Sequence, residues 1–151
     1  MRLVIQRVSE GCVIVDGSIT GSIGNGLVVF IGIGTLDEEE DARYLCDKLL
    51  HLRIFPDEAG KMNRSVEEAR GSLLLISQFT LYGDCRRGRR PSFDQAAPPD
   101  RALELYHYFV EIAKRSPVRV ETGIFQATMQ VQLVNEGPVT IWMDSADRSR
   151  R

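Results

Sequence analysis

Only two histidines, His51 and His107, occur in the 151 residues, and both fall inside runs that read as helices. Neither lies near a serine in a nucleophile-elbow context, so a Ser-His-Asp hydrolase is poorly supported; the ordinary fate of such histidines is a helix surface. Cysteine is as sparse: Cys12, Cys46 and Cys85 are odd in number and widely separated, which argues against a disulfide framework and fits a reducing compartment. They read as packing residues. There is no Cys-x-x-Cys and no Walker-type loop, and Cys46 with His51 cannot alone make a zinc site, so neither metal nor cofactor is expected. Gly32-Ile33-Gly34 follows a strand-like run, yet the third glycine of a dinucleotide fingerprint would fall on Asp37.

Long hydrophobic runs are also missing. The longest, Gly26 to Gly34, is far short of the roughly 20 residues that cross a bilayer, and Met1 to Val8 lacks the apolar core of a signal peptide. The expectation is a cytoplasmic protein without a membrane partner. Charge of one sign is lacking too. At a net −2, a polyanion must be met by a local patch. Two patches exist, Arg86, Arg87, Arg89 and Arg90 in a glycine-containing loop, and Arg148, Arg150 and Arg151 at the end; by themselves they read as a solvated loop and a frayed tail.

What is present suffices for one folded domain: 43% hydrophobic and 26% charged residues, in a chain long enough to bury a core. The runs Leu3 to Val8, Cys12 to Val15, Ile19 to Ile23 and Leu27 to Ile33 read as a β-meander, with Asp16-Gly17 as a hairpin turn. Thr35 and Glu38 could form a capping box for a helix ending near Arg53, with the stripe Ala42, Leu45, Cys46, Leu49 and Leu50. Residues 55 to 71 read as a long connection, and Leu73 to Ser77 as a buried strand. Pro98-Pro99 opens a second helix with the stripe Ala102, Leu105, Tyr106, Phe109, Ile112 and Ala113, and Pro117 closes it. Alternation at Met129, Val131, Leu133 and at Val139, Ile141, Met143 reads as a second hairpin around Asn135-Glu136-Gly137-Pro138. The sum is a mixed α/β domain with a largely antiparallel, barrel-like sheet and two main helices.

Two segments carry chemistry. Ser77-Gln78-Phe79-Thr80-Leu81 leaves an apolar strand for Tyr82-Gly83-Asp84, where backbone amides can turn outward. Asn135-Glu136-Gly137-Pro138-Val139-Thr140 sets Gly-Pro in a turn, where proline at the third position requires a cis peptide. Each alone is equally a plain strand end or a tight turn. Together they resemble the paired Ser-Gln-Phe-Thr and Gly-cis-Pro signatures of the D-aminoacyl-tRNA deacylase family. Arg7 in the first strand, Lys61-Met62-Asn63, Gly88-Arg89-Arg90-Pro91-Ser92-Phe93 and Leu105-Tyr106 match at the same order and spacing. The resemblance runs from residue 1 to about 145, leaving 146 to 151 as a basic tail.

The resemblance implies an esterase that frees tRNA from D-amino acids, and from glycine on the wrong tRNA. It puts the backbone N–H groups of Ser77, Gln78 and Phe79 around the oxyanion, with Thr80 beside them. Because Thr80 and Ser77 have no visible base, the terminal adenosine's 2′-hydroxyl is the favoured assistant of the attacking water. It also implies that Gly137 and Pro138 enter the site of a partner subunit in a homodimer and exclude L side chains. Arg7 would hold that loop, though on a strand beside Leu3 and Ile5 it could equally be half of a buried ion pair. Arg86, Arg87, Arg89 and Arg90 become candidates for the acceptor-stem phosphates; tRNA, and not DNA, is the implied partner. Two rival readings stay open: a non-catalytic binding module using the same cleft, and an esterase or amidase of another substrate with Thr80 or Cys85 as nucleophile.

Overall fold

The computed structural model describes residues 1–150. Over them run the strands β1 (Arg2–Val15), β2 (Ser18–Ile23) and β3 (Gly26–Gly32), helix α1 (Glu39–His51), strands β4 (Phe55–Pro56), β5 (Met62–Arg64) and β6 (Ser72–Ser77), helix α2 (Pro99–Ala113), and strands β7 (Arg119–Thr122) and β8 (Gln130–Asp144). The main sheet has the order β2-β1-β3-β6-β7, with β8 paired to β1. β1 is antiparallel to β2, β3 and β8, as expected of a largely antiparallel sheet. β6 is parallel to both β3 and β7. Each parallel pair is joined through a helix, α1 or α2, because strands running the same way need a crossover.

The sheet curls nearly closed. A Cβ on Gly21 of β2 would lie 2.3 Å from the Thr122 carbonyl oxygen of β7, so only glycine lets these two outer strands approach. β3 and β6 are covered on both faces, which is why they read as unbroken apolar runs. Their odd residues Leu27, Val29, Ile31, Leu73 and Leu75 meet the α1 stripe (Ala42, Leu45, Cys46, Leu49) and the α2 stripe (Leu105, Tyr106, Phe109). The alternate residues Val28, Leu74 and Ile76 join Val8, Val13 and Ile23 inside the barrel.

Several expectations are corrected. Leu3 to Val8 and Cys12 to Val15 are one strand of 14 residues; β8 pairs along nearly its whole length and supplies acceptors and donors that keep Ser9-Glu10-Gly11 extended. The second hairpin does not exist. Glu10 pairs with Val134 and Gln6 with Thr140 on the same β8, so residues 136 to 139 bulge out opposite Arg7 and the chain continues in its original direction. Helix α1 begins at Glu39 and ends at His51. Asp41 accepts from the Glu38 N–H at 2.9 Å, whereas the Thr35 N–H goes to the Gln95 carbonyl at 3.1 Å. Residues 55 to 71 contain the paired strands β4 and β5.

The Asp16-Gly17 turn is found, with φ of 49° and 79°. β7 has four residues, too few for an alternation to be read. The chain end is not a frayed tail as far as it is described: Ser145–Arg150 forms a 3₁₀ helix, and Arg148 pairs with Glu40 of α1 at 3.4 Å. Arg151 lies outside the described residues. Cys46 packs in the core, and burial pushes its thiol up to about 12. Cys85, by contrast, is exposed, so packing does not account for it. No helix among the described residues is long and apolar enough to cross a membrane.

Candidate functional site

β6 ends at Ser77, and the chain turns at once into a 3₁₀ helix, Phe79–Tyr82. The N–H groups at the start of such a turn have no acceptor within it. The Gln78 N–H is already committed, donating to the Ile31 carbonyl at 2.7 Å, and the Leu81 N–H donates to the Gln78 carbonyl at 3.3 Å. The expectation that Gln78 offers its amide to an oxyanion therefore gives way: Phe79 and Thr80 are the turn residues whose N–H groups have no acceptor in the turn. The Gln78 side chain has a different task. Its Nε2 donates to Thr80 Oγ1 at 2.5 Å, which fixes the hydroxyl and withdraws charge from its oxygen.

This corner forms one wall of a cavity of about 710 Å³, shared with Ile31, Ile76, Phe93, Ala96, Phe125, Gln126 and Met129. Its polar side chains are Ser77, Gln78 and Gln126; no acid, base or thiol belongs to the lining among the described residues. Phe79 is 55% exposed and meets Phe93 edge to face, with centroids 5.1 Å apart. The two rings make an apolar lip at which a flat group can stack. Phe93 stood in the motif stretch without a role, Met129 read only as part of an alternating strand, and Phe125 and Gln126 carried no signal in the sequence. They come from the loop between β7 and β8, which only the closing of the sheet brings round.

Behind the turn, Asp37 collects donors. Its carboxylate accepts from the chain's amino group, from the Gly34 N–H at 2.6 Å and from the Tyr82 hydroxyl at 3.2 Å. Burial, followed by the Asp37 charge, drives the Tyr82 phenol well above its ordinary range, so it stays protonated.

Gly137 and Pro138 stand apart from that cavity in their own chain: neither belongs to its lining, and both are exposed. The peptide between them is cis. Arg7 donates from Nε to the Glu136 carbonyl at 3.1 Å and from Nη1 to the Ile54 carbonyl at 2.6 Å. Both acceptors are carbonyl oxygens, which answers the question left by the sequence: the guanidinium ties the bulge to the segment after α1. Asn135 closes the bulge from within, its Oδ1 accepting from the Val139 N–H at 2.9 Å.

The arginine-rich loop rises beside the lip. It is pinched shut between Asp84 and Ser92, whose N–H groups donate to each other's carbonyls at 2.7 and 3.0 Å. Arg86 is taken up within it, Nε and Nη2 donating to the two Asp84 carboxylate oxygens at 2.9 and 2.6 Å. That fork holds the Asp84 carboxyl down at about 2. Arg87, Arg89 and Arg90 remain exposed.

A family model described as D-Tyr-tRNA(Tyr) deacylase matches residues 4–144. A relative named D-aminoacyl-tRNA deacylase, from Solibacter usitatus (strain Ellin6076), is 64% identical over 151 residues and covers 100% of both chains. Another of that name, from Thermotoga petrophila (strain ATCC BAA-488 / DSM 13995 / JCM 10881 / RKU-1), is 58% identical over 97% of this chain and 98% of its own. A solved structure described as c-Myc DNA Unwinding Element Binding Protein superposes with a TM-score of 0.91 at 37% identity, over 95% of this chain and 98% of that one. A second, "Structural Analysis of a probable eukaryotic D-amino acid tRNA deacylase", gives 0.80 at 22% identity over 94% and 97%, a likeness of fold alone.

Proposed function

The chain belongs to the D-Tyr-tRNA(Tyr) deacylase family, and from that premise we propose that it hydrolyses the ester of D-aminoacyl-tRNA, releasing tRNA and a free D-amino acid. The observation that carries the mechanism is a cavity with amide donors at its edge and no titratable side chain in its lining among the described residues. An aminoacyl ester is already activated. Water adds to its carbonyl carbon, the oxyanion is received by the Phe79 and Thr80 N–H groups, and the bond to the 3′-oxygen breaks as that oxygen takes a proton. Each well-aimed donor contributes about 10²- to 10³-fold. The 2′-hydroxyl of the terminal adenosine, and not a side chain, relays the proton. Ser77 and Gln78 frame this corner, and Gln78 keeps the Thr80 hydroxyl aligned.

Selection for D over L falls to the main chain at Gly137-Pro138. Since that bulge lies off the cavity of its own chain, the site is completed by the bulge of a second copy in a two-fold dimer, the arrangement in which each subunit gives what it receives. β8 pairs on one side with β1 and its Val134 and Trp142 are half exposed, which suits a strand that another subunit covers. The wall excludes an L side chain by shape and leaves a D side chain pointing outward; glycine, lacking a Cβ, passes. The cytoplasm, where aminoacyl-tRNA is used, is the compartment that this activity requires.

The deciding assay follows ester loss from matched D-tyrosyl-, L-tyrosyl- and glycyl-tRNA. Turnover of the D and glycyl forms with the L form spared is the expected result. Equal cleavage of D and L would point to a general esterase, no cleavage at all to a binding module, and complete resistance of glycyl-tRNA would remove steric exclusion as the filter.

Arg87, Arg89 and Arg90, exposed in a loop that leads into Phe93 of the cavity lining, are the proposed contacts for acceptor-stem phosphates. Each arginine-phosphate contact contributes about 0.7 to 0.9 to the slope of log affinity against log salt. The double variant R87A/R89A should therefore flatten that slope by about 1.5 for tRNA. An unchanged slope would return both residues to a solvated loop. Arg86, already held by Asp84, is the member of the group least free to contribute.

A further inference from the structure

We propose that Arg2 is a positioning residue for the 3₁₀ turn that carries the amide donors, acting at the turn's far end. The inference rests on the functional reading above. Arg2 lies in β1 opposite Gly32 of β3 and Asp144 of β8. Its guanidinium is engaged through two of its nitrogens: Nε donates to Asp144 Oδ2 at 3.1 Å, and Nη1 donates to the Leu81 carbonyl at 2.9 Å. Its carbon sits 4.3 Å from the centroid of the Tyr82 ring and 5.5 Å from that of Trp142. Leu81 and Tyr82 are the second half of the turn whose first half is Phe79 and Thr80.

A four-residue 3₁₀ turn cannot hold its own shape, since fixing several dihedrals yields only one or two bonds of poor geometry. The bonds that tie this turn to its flanking residues are Leu81 N–H to Gln78 and Gly83 N–H to Thr80, at 3.3 and 2.9 Å. The direction in which the Phe79 and Thr80 N–H groups point is therefore set from outside. Arg2 grips the Leu81 carbonyl and the Tyr82 ring face, while Asp37 grips the Tyr82 hydroxyl. Gly32 completes the seat: a Cβ there would lie 2.8 Å from Leu81 Cβ, so β3 presses directly on the turn. Lysine is a poor replacement for the arginine, for its compact ammonium lacks the planar fork that reaches a carboxylate and a carbonyl from one group lying over two rings.

The test uses the full chain and D-tyrosyl-tRNA, with kcat and KM measured for wild type, R2A, R2K and D144N. The molecule has one tryptophan, Trp142, so its emission reports whether the clamp has opened. Misplacement of donors by a fraction of an ångström should lower kcat of R2A about tenfold, with KM within about twofold, because ground-state binding does not use the oxyanion donors. R2K should recover only a minor part, and D144N, which frees the guanidinium from the other side, should lower kcat in the same sense by a smaller factor. Unchanged kcat in R2A or D144N with shifted Trp142 emission would overturn the inference while leaving the activity intact. So would a loss matched by the fraction of unfolded protein. Failure of the wild type to cleave the substrate would instead overturn the functional reading and this inference with it.

Discussion

Removing the 2′-hydroxyl of the terminal adenosine should slow enzymatic cleavage of D-tyrosyl-tRNA by about 10²- to 10⁴-fold over each substrate's own spontaneous rate, the usual worth of a positioned proton-transfer group. T80A, on normal substrate, should lose less than about tenfold. The contrast follows from what the cavity contains. Its lining has Ser77, two glutamines and apolar groups, with no histidine, carboxylate or amine among the described residues to accept a proton. Thr80 is the motif hydroxyl to suspect as a nucleophile, but it lies outside the cavity lining and Gln78 Nε2 donates to it at 2.5 Å. A donated hydrogen bond makes an oxygen a poorer nucleophile, and nothing in the lining would remove its proton. Losing one neutral hydrogen bond costs about 1 kcal/mol, or roughly fivefold in rate if all of it is felt in the transition state. Full activity on the deoxy substrate beside a dead T80A would reverse the assignment and make Thr80 the nucleophile.

G137A is expected to reduce the preference for D-tyrosyl- over L-tyrosyl-tRNA by about tenfold to a hundredfold in kcat/KM, with little change in thermal stability. Gly137 has φ of +134°, a region that L residues rarely adopt, and its Cβ would lie 2.8 Å from Val139 Cγ2 and 3.1 Å from Arg7 Nη2 and Val139 N. Forcing a side chain into such a conformation costs about 1–3 kcal/mol, which the bulge can relieve only by moving. Val139 N–H and the Arg7 guanidinium are the two groups that pin it, through Asn135 and Glu136. A wall that sorts mirror images must stay within a few tenths of an ångström of its place, whereas an exposed bulge contributes little to global stability. Parallel rates on D and L esters would give the ratio; a ratio held at the wild-type value would mean that discrimination resides elsewhere.

How much could be read from residue order depends on the range of the interaction. The α1 and α2 stripes were legible because a helix repeats its buried face every three or four residues, and the Asp16-Gly17 turn because two successive positive φ angles demand such residues. The Ser77 to Thr80 corner was legible as a motif. Its wiring was not: which amides are free depends on the Ile31 carbonyl, which lies in another strand. Asn-Glu-Gly-Pro looked like a hairpin because a turn and a bulge use the same residues. The choice between them is made by β1, whose long ladder pairs with both flanks.

By itself, then, the order of amino acids determined the helices, the apolar strands, the family and the residues that mark it, since propensity, periodicity and turn chemistry act over a few positions. Tertiary structure alone decided that Arg2 reaches Leu81, that Arg7 meets two carbonyls instead of a carboxylate, that Arg86 is held by Asp84, and that the loop after β7 closes the cavity. Those outcomes turn on which groups compete for one donor once distant strands have curled together, and a local pattern contains no record of that competition.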